Sequence, residues 1–143
     1  MTSMSMTPSQ DRTLEEKNRQ VVADFYRHVL EARNPAAVRQ FVTDDYRQHC
    51  RHIPSGPDGL ERYLRGLFGD SPPQPVRDEM MFPPALFVAQ GDTVVIAGYV
   101  PQPDPDAPGE FYDYYVFDAF RLRDGKLCEH WNSINKIAPP RHP

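Results

Sequence analysis

The 143-residue chain has 39% hydrophobic and 25% charged residues and a formal net charge of −4, which fits one domain able to bury a core without metal or disulfide staples. Its lysines and arginines are scattered, so no basic face offers itself to nucleic acid, and no apolar run approaches the ~20 residues of a membrane span. Two cysteines, Cys50 and Cys128, make no disulfide framework, and the expected compartment is cytoplasmic with both thiols reduced.

Residues 1–12 are polar and read as a disordered leader, residues 13–138 as the domain and residues 139–143 as a proline-rich tail. Thr13-Leu-Glu-Glu16 has the form of a capping box. Behind it Leu14, Val21, Val22, Phe25, Val29 and Leu30 recur at helical spacing and predict a helix to about Ala32. Asn34-Pro35 starts a second helix, with proline in its first turn, and Val38, Phe41 and Val42 form its buried stripe. Tyr46 to Ile53 reads as extended. A third helix spans Asp58–Phe68, closed by Gly69.

Beyond Pro75 the pattern turns to strands: Arg77–Phe82, Ala85–Gln90, Thr93–Val100, Phe111–Arg123 and Lys126–Ile137. Most of the sixteen prolines cluster in residues 71–75, 82–84, 101–109 and the tail 139–143, and these clusters read as loops. Three helices ahead of an antiparallel meander imply an α+β domain. A long sheet covering its helices is expected to curve into a cone-shaped barrel closed by the three helices and enclosing a pocket.

The Asp124-Gly125 hairpin decides which polar groups meet. A two-residue turn pairs Arg123 with Lys126 and sets Asp118 opposite Trp131. A three-residue loop with a glycine bulge pairs Leu122 with Lys126 and sets Asp118 opposite His130 and Val116 opposite Asn132. The bulged register is favoured, because it gathers Tyr112, Tyr114, Val116, Asp118, Phe120, Cys128, His130 and Asn132 on one face. A carboxyl among apolar neighbours with one imidazole partner suits general acid–base work. The same two residues also fit an ordinary buried pair that satisfies itself.

In Tyr46-Arg-Gln-His49, alternation puts Tyr46 and Gln48 on one face and Arg47 and His49 on the other. A hydroxyl and an amide facing a pocket orient a carbonyl or a water; otherwise this is a polar strand end. His49-Cys50-Arg51-His52 lacks the matched second ligand pair that zinc needs, so no metal is expected. Trp131 falls on the outer sheet face with Tyr115 and Phe117 nearby, which suggests a covered surface such as a homodimer interface. No GxGxxG, Walker, GxSxG or HExxH motif occurs.

Residues 18–26, Tyr46-Arg-Gln-His49, Phe117-Asp-Ala-Phe-Arg121 and Asp124-Gly-Lys-Leu-Cys-Glu-His-Trp131 together resemble the SnoaL-like polyketide cyclases of the nuclear transport factor 2-like superfamily. The resemblance spans about Glu16 to Ile137. It implies a cone-shaped barrel, usually dimeric, without cofactor, that closes a ring by intramolecular aldol chemistry on a polyketide-like or other apolar carbonyl substrate. It implies Asp118 as general acid/base with His130 beside it, and Tyr46, Gln48 and His49 in the family's Tyr-x-Gln-His segment; Tyr114 and Asn132, on the same face as Asp118 in the bulged register, are expected beside the substrate as well. The family often carries Asp where this chain has Asn132. In the related limonene epoxide hydrolases an Asp there helps activate water, so epoxide hydrolysis stands third, behind a non-catalytic ligand-binding or protein-interaction module.

Overall fold

The computed structural model describes residues 5–132. Helix α1 runs Pro8–Phe25. It starts about two turns before the expected Leu14 and takes in residues 8–12 of the expected leader. The capping box belongs to Thr7 and Gln10, not to Thr13 and Glu16: Gln10 N–H donates to Thr7 Oγ1 at 3.2 Å and Thr7 N–H to Gln10 Oε1 at 2.9 Å. Pro8 at the first helical position lacks an N–H that would have had no intrahelical partner. Val22, Phe25 and Val29 lie buried along one side. Asn18 ties α1 to the next layer, its amide donating to Gly91 O at 3.3 Å.

A π turn, Tyr26–Glu31, continues α1, and a 3-10 segment covers Pro35–Gln40 where a second α-helix was expected. Strand β1 comes next at Val42–Gln48, ahead of the expected Tyr46 start. Helix α2 spans Gly56–Phe68, burying Leu60 and Leu64, and Gly69 ends it at φ 70°. Residues 77–82 form no strand; the chain from 71 to 85 is irregular and mostly exposed. The strands are then β2 Leu86–Gln90, β3 Thr93–Tyr99, β4 Gln102–Pro103, β5 Phe111–Tyr112, β6 Tyr115–Arg123 and β7 Lys126–Asn132. The expected long strand from Phe111 is thus split, and the continuation of β7 to Ile137 lies outside the described residues, as does the tail.

The main sheet has the order β1-β7-β6-β3-β2, while β4 and β5 pair separately. It is mixed rather than antiparallel, because β1 runs parallel to β7. Among the described residues it is curved but not closed, so in place of the expected barrel they form an open sheet with α1 and α2 against one face. Val94, Ile96, Phe120, Leu122 and Leu127 from that face form the core with Val22, Phe25, Val29, Val38, Leu60 and Leu64. No described helix is long and apolar enough to cross a membrane.

The β6–β7 hairpin corrects both expected registers. Asp124 and Gly125 have φ of 52° and 78°, the left-handed pair of a two-residue type I′ turn, and Arg123 pairs with Lys126. The bulge comes later. Leu122 pairs with Leu127 but Arg121 with Glu129, leaving Cys128 as the extra residue. Strict alternation from the fully buried Leu127 would turn His130 outward. The inserted residue brings His130 back to the core face and sets Asp118 opposite Asn132, not His130 or Trp131.

Candidate active site

Asp118 stands on β6 between Ile96 of β3 and Asn132 of β7. His130 is its diagonal neighbour, with Nε2 2.7 Å from Asp118 Oδ1. The other ring nitrogen, Nδ1, is 2.6 Å from Gln48 Oε1. Gln48 reaches it because the parallel pairing of β1 and β7 sets Gln48 beside His130. Ser55 Oγ fixes the Gln48 backbone by accepting its N–H at 3.0 Å.

These contacts determine where one proton sits. Cys50 N–H donates to Gln48 Oε1 at 3.0 Å, so that atom is the carbonyl oxygen and only accepts. His130 Nδ1 must therefore carry a proton and donate it to Gln48. A second proton lies between His130 Nε2 and Asp118 Oδ1, whether the pair is written imidazolium–carboxylate or imidazole–carboxylic acid. Asn132 Nδ2 approaches Asp118 Oδ1 at 3.4 Å, and Tyr26 OH donates to Asp118 Oδ2 at 3.0 Å.

The surroundings are apolar. The Phe120 ring lies 4.8 Å from that of His130, and Tyr26 meets Phe120 edge-on at 6.4 Å. Asp118 keeps 17% of its side-chain surface and His130 only 7%, so the pair is reachable from the carboxylate side. Burial first, then the Asp118 charge and the bond to Asp118, push the Tyr26 phenol well above its ordinary value. Burial and then the Asp118 charge likewise raise Tyr46, with the nearby Gln48 amide pulling the other way. Both tyrosines are neutral donors at any physiological pH. Among the described residues, two buried polar atoms at this site meet no partner in hydrogen-bonding geometry: Asn132 Oδ1, an acceptor, and Gln48 Nε2, a donor whose nearest acceptor is the Tyr46 phenol it pulls on.

Asp118, His130, Tyr46, Gln48 and Asn132 thus come together as expected from the sequence. His49 does not, because strand alternation turns it to the outer face. There its Nε2 lies 2.6 Å from Glu129 and its ring stacks on Trp131 at 4.9 Å. The His49 bond, aided by the Arg121 charge and opposed by burial, holds the Glu129 carboxyl below its usual range. Cys128, expected inside, is the bulge residue. Tyr114 shares the parity of Asp118 but sits four residues, roughly 13 Å, along the chain; its ring meets Tyr112 at 6.3 Å. Tyr26 was not singled out from the sequence, although it ends the helical segment that carried the resemblance.

A model of the SnoaL-like domain matches residues 22–130, from the helix through His130. The chain belongs to the SnoaL-like domain family. A protein assigned as a SnoaL-like polyketide cyclase from Jannaschia sp. CCS1 is 18% identical, with 92% of this chain and 90% of that one covered and a TM-score of 0.57. TerC, co-crystallised with polyporic acid, is 17% identical over 85% and 93%, with a TM-score of 0.57. A de novo designed protein with a curved β-sheet reaches 0.58 at 16% identity over 85% and 87%. At such identities the likeness concerns the fold alone, and a designed scaffold shares it as closely as proteins named for an activity. None of the curated proteins matches this chain.

Proposed function

We propose that this SnoaL-like domain carries out cofactor-independent general acid–base chemistry, an aldol-type cyclisation or an isomerisation, on an apolar carbonyl substrate. The observation that carries this reading is the Asp118–His130 pair, which shares one proton, is walled by aromatic rings, and is reachable from the carboxylate. Asp118 removes a proton from carbon next to a carbonyl, and the pair returns it to the oxygen formed on ring closure. The product is an isomer of the substrate, and no electrons are gained or lost. As Asp118 takes up the substrate's proton on its other oxygen, Oδ2, the proton already shared with His130 sits on Nε2, while Gln48 holds Nδ1 in place. Gln48 Nε2 and Asn132 Oδ1 offer a donor and an acceptor to substrate oxygens or to a water. Asn132 takes no proton, which disfavours the epoxide hydrolase route. TerC, crystallised with polyporic acid, supports a small-molecule ligand at this fold.

We also propose a homodimer formed through the outer sheet face. Leu86, Val88, Tyr99, Tyr115 and Phe117 each keep about half of their surface there, and a contiguous exposed apolar face of this kind marks an interaction surface.

The test is deuterium exchange at the activated carbon of aryl 1,3-diketones, followed by proton NMR. The native protein accelerates exchange and folded Asp118→Asn does not. Equal exchange in the variant overturns the assignment of Asp118. Binding without any exchange favours the non-catalytic module.

A further inference from the structure

The helix that opens the chain widens before it ends. Ala32 N–H reaches Arg27 O at 3.1 Å and Asn34 N–H reaches Val29 O at 2.9 Å, both i to i+5 bonds of a π turn. Such helix makes up well under ~1% of residues in ordinary proteins, and single wide turns recur where a helix must aim side chains at a function.

This turn serves two partners at once. Tyr26, its first residue, donates to Asp118 Oδ2. Two of its other residues, Arg27 and Glu31, hold the irregular strap 71–85. Arg27 donates to Arg77 O. The Glu31 carboxylate accepts the Met81 N–H at 2.9 Å and the Phe82 N–H at 3.4 Å. Just beyond the turn, Ala32 O accepts the Gln74 N–H at 2.7 Å. A cavity of about 210 Å³ remains between strap and helix, lined by Arg27, Glu31, Gln74, Pro75, Arg77 and Met81.

Tightening the turn to α geometry would remove one residue from it and rotate its C-terminal end by roughly 100° relative to Tyr26. Glu31 and Ala32 would then leave the strap, or Tyr26 would leave Asp118. Both sets of bonds form together only while the turn is wide. We propose that Tyr26 is a positioning residue for Asp118, and that docking of the 71–85 strap on the wide turn sets its aim. The strap is exposed chain without regular pairing, the kind of segment that opens at small cost. Lifting it frees the turn to tighten and takes a hydrogen bond from the carboxylate. The value of that bond to turnover rests on the acid–base reading above, but the coupling itself does not.

Glu31→Ala removes the acceptor for the Met81 and Phe82 amides without touching Tyr26 or Asp118. Tyr26→Phe gives the reference for a fully lost bond. Two NMR readouts on the intact protein decide the matter: hydrogen exchange at the Met81 and Phe82 amides, and the carboxyl ¹³C shift of Asp118. In Glu31→Ala the amides are expected to exchange at least ~10-fold faster. The Asp118 carboxyl should also move a quarter or more of the way toward its Tyr26→Phe position. Glu31→Gln, which keeps one acceptor oxygen, should restore most of both. Faster amide exchange with an unmoved Asp118 carboxyl overturns the coupling, and so does unchanged amide exchange. Failure of the native protein to exchange diketone protons would count against the acid–base reading and leave this result standing.

Discussion

Asp118→Asn and Asp118→Ala should part sharply in stability although both abolish the proposed chemistry. Asp118 Oδ2 accepts from Tyr26 and Oδ1 faces His130 Nε2 at 2.7 Å. With Gln48 fixing His130 as the Nδ1–H tautomer, neutral His130 offers a bare Nε2. An asparagine at 118 keeps its carbonyl oxygen toward Tyr26 and donates its NH₂ to that nitrogen. Tyr26 and His130 both stay paired, only the long 3.4 Å approach of Asn132 Nδ2 is lost, and the cost is chiefly that of exchanging charge-assisted bonds for ordinary ones, about 1 kcal/mol. Alanine strands the Tyr26 hydroxyl and the His130 ring in an apolar wall, and removing one partner of a buried pair costs roughly 3–5 kcal/mol. Urea unfolding measures both, followed by the fluorescence of Trp131, the single tryptophan, with equal slopes confirming a common unfolding transition. Proton exchange should fall by ~10²–10⁴ in each variant. An Asn variant destabilised as much as the Ala variant would refute the fixed tautomer.

Among the seven tyrosines, Tyr26 and Tyr46 should resist ionisation while the fold persists, as read by absorbance near 295 nm. Their folded values are raised above the ordinary phenol value of 10.0. A raised folded value means that the neutral form is favoured by folding, so the stability at stake lies above about pH 10, where an unfolded tyrosine ionises and draws the chain toward unfolding. Reversible titration of all seven before unfolding would contradict this. At Gly59 a Cβ would meet Pro54 O at 2.7 Å and Pro54 Cβ at 2.8 Å, whereas at Gly66 it meets nothing within 4 Å. Gly59→Ala should therefore lower stability by ~1–3 kcal/mol and Gly66→Ala raise it by ~0.5–1 kcal/mol, and thermal shifts of the same sign would contradict the packing described. Phe117→Glu should convert the dimer to a folded monomer in sedimentation, and a native protein that is itself monomeric would refute the proposed interface.

The sequence pattern carried the elements whose causes are local. The stripe of Val22, Phe25 and Val29, the Gly69 end of α2 and the break between the strands ending at Gln90 and starting at Thr93 all stand where periodicity and turn chemistry put them. The convergence of Asp118, His130 and Asn132 on one face was also legible, though for a different cause. The extra residue was sought in the turn and lies at Cys128. Either position restores the same parity, so the face was right while the partner across the strand was off by two. What local pattern could not carry was pairing at a distance. The parallel match of β1 to β7, which brings Gln48 to His130, joins segments far apart in the chain. Tyr26 is a related case, because its role depends on a wide turn that is held by a strap far along the chain. His49 shows the converse, since alternation already placed it outside and only the family resemblance drew it in.

The central claim is that a chain of hydrogen bonds from Gln48 through His130 to Asp118 leaves one proton shared at the carboxylate. Long-range ¹⁵N–¹H NMR of the imidazole tests it most directly. The account predicts a protonated, pyrrole-type Nδ1 in the folded protein, because the atom it faces is the Gln48 carbonyl oxygen. A pyridine-type Nδ1, with the ring proton on Nε2 alone, would contradict it.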